Sequence, residues 1–391
     1  LGIGWILSIR KNDKSKHHFE LEKQMSSSRP RFIMVGGFLG AGKTTTVSRL
    51  ASRFQSLGQR VVIVTNDQAT DLVDTNILRS QGFDVGEVAG SCFCCNFNEL
   101  TNTVERLGAD SRPDVVLAEP VGSCTDLVAT VIRPLQEIYA QPLEIAPYGV
   151  ILKPSHGARI LRRQTKGGFS PQAEYIFRKQ IEEADFVIIN RIDELADEEV
   201  NELATLLDEQ YPGRPIVRMS ARTGVGFDDF CDFLEQRGDF GRYLMDVDYD
   251  VYAEGEAELG WLNSQLTLTS GVSFALDDFL LNLLGELKSE FASVTAETAH
   301  LKAIGLSDGY YGVANLVSSE TQPVLSLPSL CHTKRANVVV NARVAVDPDM
   351  LADMVRKVVA GEAEKMNVQF NIDTLQSFRP GRPVPTHRIQ S

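Results

Sequence analysis

The sequence predicts an α/β fold, with a mainly parallel sheet in its first half and a smaller α+β domain after it. Three observations carry this. Up to about residue 237, short apolar runs alternate with helical patterns, as βαβ units do. Gly37-Phe38-Leu39-Gly40-Ala41-Gly42-Lys43-Thr44 satisfies G-x-x-x-x-G-K-[ST] between an apolar strand and a periodic helix, which makes the first half a P-loop NTPase. Beyond Arg237 the pattern becomes β-α-β-β(-β)-α-β, the order of a ferredoxin-like α/β sandwich.

In chain order, strands are expected at Phe32–Val35, Val61–Thr65, Val115–Ala118, Val150–Leu152, Phe186–Asn190 and Ile216–Met219. These runs are nearly all apolar, which suits strands covered on both faces. Helices are expected at Lys43–Gln55, Ala173–Ala184 and Glu198–Gln210, and Ser155–Ser170 reads as an exposed basic loop that includes His156. In the second half the expected strands are Gln265–Thr269, His300–Gly305, Gly312–Ser318, Val338–Ala345 and Val368–Leu375, with helices Ala275–Ala292 and Pro348–Ala363. The resulting division is a disordered leader (1–30), a P-loop domain (31–237), an acidic and weakly structured linker (238–260), a ferredoxin-like domain (261–378) and an irregular tail (379–391). Met25 is the expected native start, with residues 1–24 upstream sequence or leader.

Length and composition narrow the class. At 391 residues, 43% hydrophobic and 23% charged, the chain has the composition of a globular protein of two domains. A formal net charge of −13 opposes binding to nucleic acid and to anionic membrane. No apolar run approaches the roughly 18 residues of a membrane span. Of the six cysteines, Cys92, Cys94 and Cys95 crowd together, while Cys124, Cys231 and Cys331 are scattered. With no secretion signal, that crowding points to metal or redox thiols in the reducing cytoplasm.

The phosphate site follows from backbone chemistry. Gly37, Gly40, Ala41 and Gly42 let successive N–H groups face phosphate oxygens, and the helix opening at Lys43, Thr44 and Thr45 adds its positive end. Lys43 is expected to neutralise phosphate charge and Thr44 to ligate Mg²⁺. Asp114-Val115-Val116-Leu117-Ala118-Glu119 is a strand ending in a carboxylate, followed by Pro120-Val121-Gly122. Glu119 is expected to hold Mg²⁺ or polarise water, and the Gly122 N–H to meet the γ-phosphate. Asn66 and Asp67 follow the second strand, and Asp67 is a further Mg²⁺ or water-positioning carboxylate. Asp71 and Asp74 read rather as a solvated acidic loop.

Asn190-Arg191-Ile192-Asp193 ends another strand and resembles the guanine element N-K-x-D with Arg for Lys. Asp193 can accept from N1–H and the 2-amino group of guanine, donors that adenine lacks. Asn190 would bond the other edge of the base or tie loops together, and Arg191 would cover its face. Ser220-Ala221-Arg222-Thr223-Gly224 is the expected second base loop.

Cys92-Phe93-Cys94-Cys95 suits a soft metal, because thiolates this close repel unless a cation or proton lies between them. Three thiols leave a tetrahedral ion short of one ligand, which water, a histidine or a second subunit would have to supply. Buried free cysteines or a redox pair are the alternatives, and Cys331-His332 and His387 are weak candidates for a metal relay.

Taken together, residues 36–45, Gly90-Ser91-Cys92-Phe93-Cys94-Cys95-Asn96, Glu119-Pro120-Val121-Gly122 and Asn190-Arg191-Ile192-Asp193 resemble the CobW-type metallochaperone GTPases, relatives of the urease and hydrogenase nickel-insertion GTPases. The resemblance covers about 31–237. It implies Mg²⁺-dependent GTP hydrolysis coupled to delivery of Zn²⁺ or Co²⁺ from the C-x-C-C site to a client metalloprotein or a cobalamin-type pathway. Members commonly carry Asn-Glu-Phe-Gly where this chain has Asn66-Asp67-Gln68-Ala69, and the second half matches no C-terminal domain of the group. For Arg159–Lys166 a solvated loop is the favoured reading, and an arginine acting across a homodimer is the alternative. A kinase-like nucleotide-dependent enzyme and a GTP-regulated assembly factor without a metal role are the rival readings.

Overall fold

A computed structural model describes residues 29–66, 73–162, 170–316, 319 and 321–390, the side chains of 73, 74, 76 and 77 excepted. The first half holds strands β1 (Arg31–Gly37), β2 (Val61–Asn66), β3 (Asp84–Val88), β4 (Val115–Glu119), β5 (Glu144–Ile145), β6 (Gly149–Leu152), β7 (Phe186–Ile189) and β8 (Ile216–Arg218). They form one sheet in the order β3-β2-β4-β1-β6-β7-β8, with β5 on β1. Every pairing in it is parallel. The apolar runs are buried on both faces: Ile33, Val62, Val116, Leu117 and Ile188 are each at most 1% exposed. Two core clusters, one on each face, hold the sheet between helices. Because β4 lies between β1 and β2, the carboxyl ends of all three converge at one edge, where ligands bind in such sheets.

The expected helices stand with small shifts, at Lys43–Ser56, Pro171–Glu183 and Asp197–Gln210. Ser170 explains one boundary: its Oγ accepts from Ala173 N–H at 3.2 Å, and Pro171 follows at the first helical position. The basic loop expected at Ser155–Ser170 is corrected, because its first part is the helix Pro154–Leu161. His156 is buried there, near Lys153 Nζ at 3.0 Å and edge-on to Phe38. Arg159 and Arg162 belong to this region, while Lys166 lies outside the described residues. Strand β3 and the helix Phe97–Leu107 went unread in the sequence, since β3 (Asp-Val-Gly-Glu-Val) has too few apolar residues to stand out.

The linker also needs correcting. Residues 249–257 form a helix, capped by Asp248, whose carboxylate accepts from Asp250 and Val251 N–H. Tyr252 and Glu256 from this helix are buried in the first domain. The acidic composition hid one apolar, inward-facing turn.

The second half builds an antiparallel sheet from β9 (Gly260–Ala275), β10 (Thr298–Ser307), β11 (Tyr310–Leu316), β12 (Val324–Leu327), β13 (His332–Val344) and β14 (Gln369–Phe378), ordered β12-β11-β10-β13-β9-β14. The run β14-β9-β13-β10 is the ferredoxin-like core, and β11 and β12 extend its edge. Helices Leu276–Ser293 and Pro348–Lys365 cover one face, where Leu280, Leu283, Leu287, Val340, Ala342 and Val355 make its core. The other face carries polar side chains at alternate positions, among them Lys302, Asn341 and Arg343, and it is turned to the first domain. Trp261 and Ala299 even join the first domain's core cluster, so the two halves share apolar surface.

Candidate nucleotide and metal site

The sheet edge and the polar face of the second domain enclose a cavity of about 390 Å³. Its floor is Gly40, Gly42, Lys43, Thr44, Thr45, Thr65, Asn66, Glu119, Gly122, Asn190 and Ala221. Residues far apart in the sequence thus meet as the motifs require. The phosphate loop turns through Gly42 at φ 101° before the helix begins at Lys43. Glycine is needed there twice over, since a Cβ would also lie 2.5 Å from Asn190 Nδ2. Lys43 Nζ donates to Gly37 O at 2.9 Å, folded over its own loop. Thr44 Oγ1 donates to Glu119 Oε1 at 2.8 Å. A hydroxyl and a buried carboxylate so placed beside the phosphate loop are a donor set that fits Mg²⁺.

Asn190 ties two loops. Its Nδ2 donates to Ala41 O at 2.8 Å and its Oδ1 accepts from Ala221 N–H at 2.9 Å. This is the loop-tying alternative expected for it, and it fixes the phosphate loop against the second base loop. Replacing Asn190 with alanine strands both backbone groups in a buried place. We expect a loss of about 2 kcal/mol of stability together with weaker nucleotide binding, checked by denaturant titration and by fluorescent-nucleotide titration.

Asp193 is beside the cavity rather than in it. Its carboxylate pairs with Arg222 at 2.5 Å; desolvation raises it, but the Ser220 hydroxyl and then Arg222 hold it below the usual carboxylate range. Ser220 Oγ accepts from Thr223 N–H at 3.0 Å and shapes the same turn. Arg191 adopts the left-handed conformation and pairs with Glu194 at 3.2 Å. Asp67 and Asp71 lie outside the described residues, as does the side chain of Asp74.

The thiols cluster close to this edge. Cys92 Sγ is 3.0 Å from Cys94 Sγ and 3.1 Å from Cys95 Sγ, and Cys94 and Cys95 are 3.7 Å apart. Asn66, at the end of β2, builds the loop that carries them: its Oδ1 accepts from Phe93 N–H at 2.7 Å, and its Nδ2 donates to Val88 O and Ser91 O. One side chain therefore faces the nucleotide cavity and holds the thiol loop.

Cys124 is buried and its thiol acts on Cys92, but among the described residues only Cys92, Cys94 and Cys95 have their sulfurs all within 4.8 Å of one another. The neighbouring thiols, Cys124 first and then Cys94 and Cys95, hold Cys92 well below the ordinary thiol range. The same interaction with Cys92, with burial, pushes Cys94 and Cys124 well up and Cys95 up to about 12. Glu256 is buried next to them and is pushed up to about 8 by desolvation first and by Cys92 second. The signal for Cys124 was present in the sequence. It follows Gly122 by two residues, just past the end of β4, with β2 between that strand and the β3 that leads into the thiol loop.

The tail is irregular, as expected, but it is also a cover. Val384 N–H donates to Cys95 Sγ at 3.3 Å, Thr386 N–H donates to Cys94 O at 2.8 Å, and the His387 ring stands edge-on to Phe97. Arg388 Nε pairs at 2.6 Å with Asp126, which is 1% exposed. Removing that partner leaves a buried carboxylate. Since Arg388 keeps some exposure, R388A should cost roughly 2 kcal/mol, less than the ~3–5 kcal/mol of a fully buried pair. Faster modification of Cys95 by a thiol reagent in R388A is the second readout. By contrast, His332 opens β13 as an exposed residue.

Parallel order, phosphate loop and the Thr44–Glu119 pair define the class: the first half is a P-loop NTPase. The family model described as "CobW/HypB/UreG, nucleotide-binding domain" matches residues 31–218. That part of the chain belongs to this family of P-loop GTPases. Among curated relatives, the chain is 26% identical over 178 residues to the zinc chaperone YeiR of Escherichia coli K12, covering 43% of this chain and 48% of YeiR. It is 30% identical over 100 residues to the zinc chaperone CobW of Sinorhizobium sp, covering 23% and 27%. It is 26% identical over 216 residues to the urease accessory protein UreG 2 of a Bradyrhizobium sp., covering 52% and 89%. The match therefore spans less than half of the two zinc chaperones. Among solved structures, HypB from Helicobacter pylori in complex with nickel is 22% identical with a TM-score of 0.37, covering 57% of this chain and 94% of that one. Zn(II)-bound YjiA GTPase from E. coli is 14% identical with a TM-score of 0.35, covering 85% and 99%. No helix among the described residues is long and apolar enough to cross a membrane.

Proposed function

We propose that this chain is a metallochaperone that binds a transition metal ion, Zn²⁺ or Co²⁺, at Cys92, Cys94 and Cys95, and uses GTP to control its transfer to a client protein or cofactor pathway in the cytoplasm. The observation that carries this is one side chain, Asn66, lining the nucleotide cavity while holding the thiol loop through three hydrogen bonds. A nucleotide that moves the end of β2 must move the thiols.

In this reading Gly37, Gly40, Ala41, Gly42 and Thr45 present the backbone to the triphosphate, and Lys43 leaves the carbonyls of Gly37 and Phe38 to meet phosphate charge. Thr44 and Glu119 would hold Mg²⁺, which neutralises β- and γ-phosphate charge when bound. Glu119 orients the attacking water, and Asp67 is a further candidate for that task. The Gly122 N–H faces the γ-phosphate. Asp193 recognises guanine once Arg222 turns aside, with Ser220 and Ala221 shaping the edge of the base site. The chain divides into the GTPase domain (31–237) and the ferredoxin-like domain (261–378), whose polar face roofs the nucleotide.

Linkage gives the test. Where GTP and metal favour the same arrangement, each changes the other's affinity by the same factor, typically about 5–150-fold. Zinc affinity is to be measured by chelator competition under reducing conditions, with and without a non-hydrolysable GTP analogue. A common factor above about 5 supports the proposal, and equal affinities in both states would sink it.

A further inference from the structure

We propose that Lys302, carried by the second domain, binds the terminal phosphate of GTP, so that the ferredoxin-like sheet supplies part of the nucleotide site and not only its cover. This rests on the nucleotide reading above and names a further group in that site.

The second domain meets the parallel sheet on its phosphate side. Strands β10 and β13 pack against the helix Val73–Ser80, which follows β2 in the chain, and Ser80 lies against the β10–β11 hairpin. β2 and its neighbour β4 bring Thr65, Asn66, Glu119 and Gly122 to the cavity. The base loops leave from β7 and β8, at the other end of the sheet. A residue on the inner face of β10 therefore stands over the phosphates rather than the base. The placement is fixed by packing, because Ala299 of β10 and Trp261 of β9 are buried in the first domain's core.

Lys302 lines the cavity on that face and is only 9% exposed. In register across the sheet it lies between Asn315 of β11 and Asn341 of β13, which line the same cavity. Amides on either side of an ammonium give a set of N–H donors that suits phosphate oxygens. The charge pattern agrees. Among the described residues, the second domain's share of the lining holds His300, Lys302 and Arg343 and no carboxylate, in a chain of formal net charge −13. A triphosphate brings more negative charge than Lys43 and one divalent ion neutralise, and Glu119 adds its own. Positive groups on the roof offset that excess, and they act more strongly where water is excluded.

Arg343 is the less suited of the two long cations. Its guanidinium lies 4.0 Å over the Trp261 ring, and its Nη1 donates to Leu262 O and Ala342 O, so it is held against its own sheet. Lys302 carries its charge at the end of a flexible four-carbon stem, which can follow a phosphate.

An acyl phosphate of GTP tests this on the unaltered full chain. Its mixed anhydride at the terminal phosphate transfers the acyl group to an amine beside it and releases GTP, and peptide mass spectrometry then identifies the lysine. We expect acylation of Lys302 as well as Lys43, suppressed by excess GTP. Label confined to Lys43 would overturn the role of Lys302 and leave the nucleotide reading standing, whereas no GTP-suppressible label on either lysine would sink both. K302Q gives a second readout. Its affinity for a non-hydrolysable GTP analogue should fall at least about 10-fold, the loss of one hydrogen bond to a charged group. GDP lacks the terminal phosphate, so its affinity should change less than about 2-fold, which is also the control for folding. Equal losses for the two nucleotides, or none for either, would overturn the proposal.

Discussion

Replacing Gly122 with alanine should reduce GTP hydrolysis by about 10²–10³-fold, the range seen when one positioned charge-stabilising group is lost. The added Cβ would fall 2.8 Å from Leu39 Cδ2, 3.0 Å from Leu39 N and 3.0 Å from Lys43 Nζ. Two of these neighbours belong to the phosphate-loop backbone and its lysine, so the strain falls on the groups that face the phosphates. Leu39 can turn its side chain aside, but its amide is fixed by the loop. The lysine can move only by leaving its place over Gly37 O. The measurement is single-turnover hydrolysis at saturating GTP, with GDP affinity taken alongside. A GDP affinity near that of the unaltered chain with much slower hydrolysis is the expected pair of results. An unchanged rate would show that Gly122 has no part in the reaction.

Replacing Cys92 with serine should weaken zinc binding by more than about 100-fold, beyond what changes in groups behind the ligands cost. Cys92 is the sulfur on which the cluster centres, 3.0 Å from Cys94 and 3.1 Å from Cys95. Its neighbouring thiols, with Cys124 first, already hold it well below the ordinary thiol range. A serine hydroxyl ionises far less readily than a thiol and is a poorer partner for a soft cation. Chelator competition under reducing conditions gives the number, and fluorescent-GTP titration shows whether the nucleotide site survives. Because Asn66 joins the thiol loop through its backbone, GTP binding in the absence of metal should change little in C92S.

How much was legible beforehand depended on how far apart the interacting residues lie. The strands of the parallel sheet were readable because each is a short apolar run buried on both faces, which local composition reveals. Strand β3 escaped because its burial comes from pairing with β2, not from its own residues. The basic loop was misread for a similar reason. Pro154 opens a helix, and the charge of Arg159 and Arg162 masked the buried face of His156, Ile160 and Leu161. The linker helix was hidden by its acidic residues: Asp250 and Glu254 are exposed, but Glu256 is buried beside Tyr252.

The sequence by itself determined the phosphate loop, the strand-borne carboxylate, the base-loop motif and the order of the ferredoxin-like strands. Each is set by neighbours within a few residues, through backbone conformation and hydrophobic period. Only the tertiary structure decided that Asn66 joins the cavity to the thiols and that the tail covers Cys94 and Cys95. It also decided that the polar face of the second domain closes the nucleotide cavity. These contacts unite segments about 30 to 290 positions apart, and what brings them together is burial of apolar surface over the whole chain, a quantity no local stretch contains.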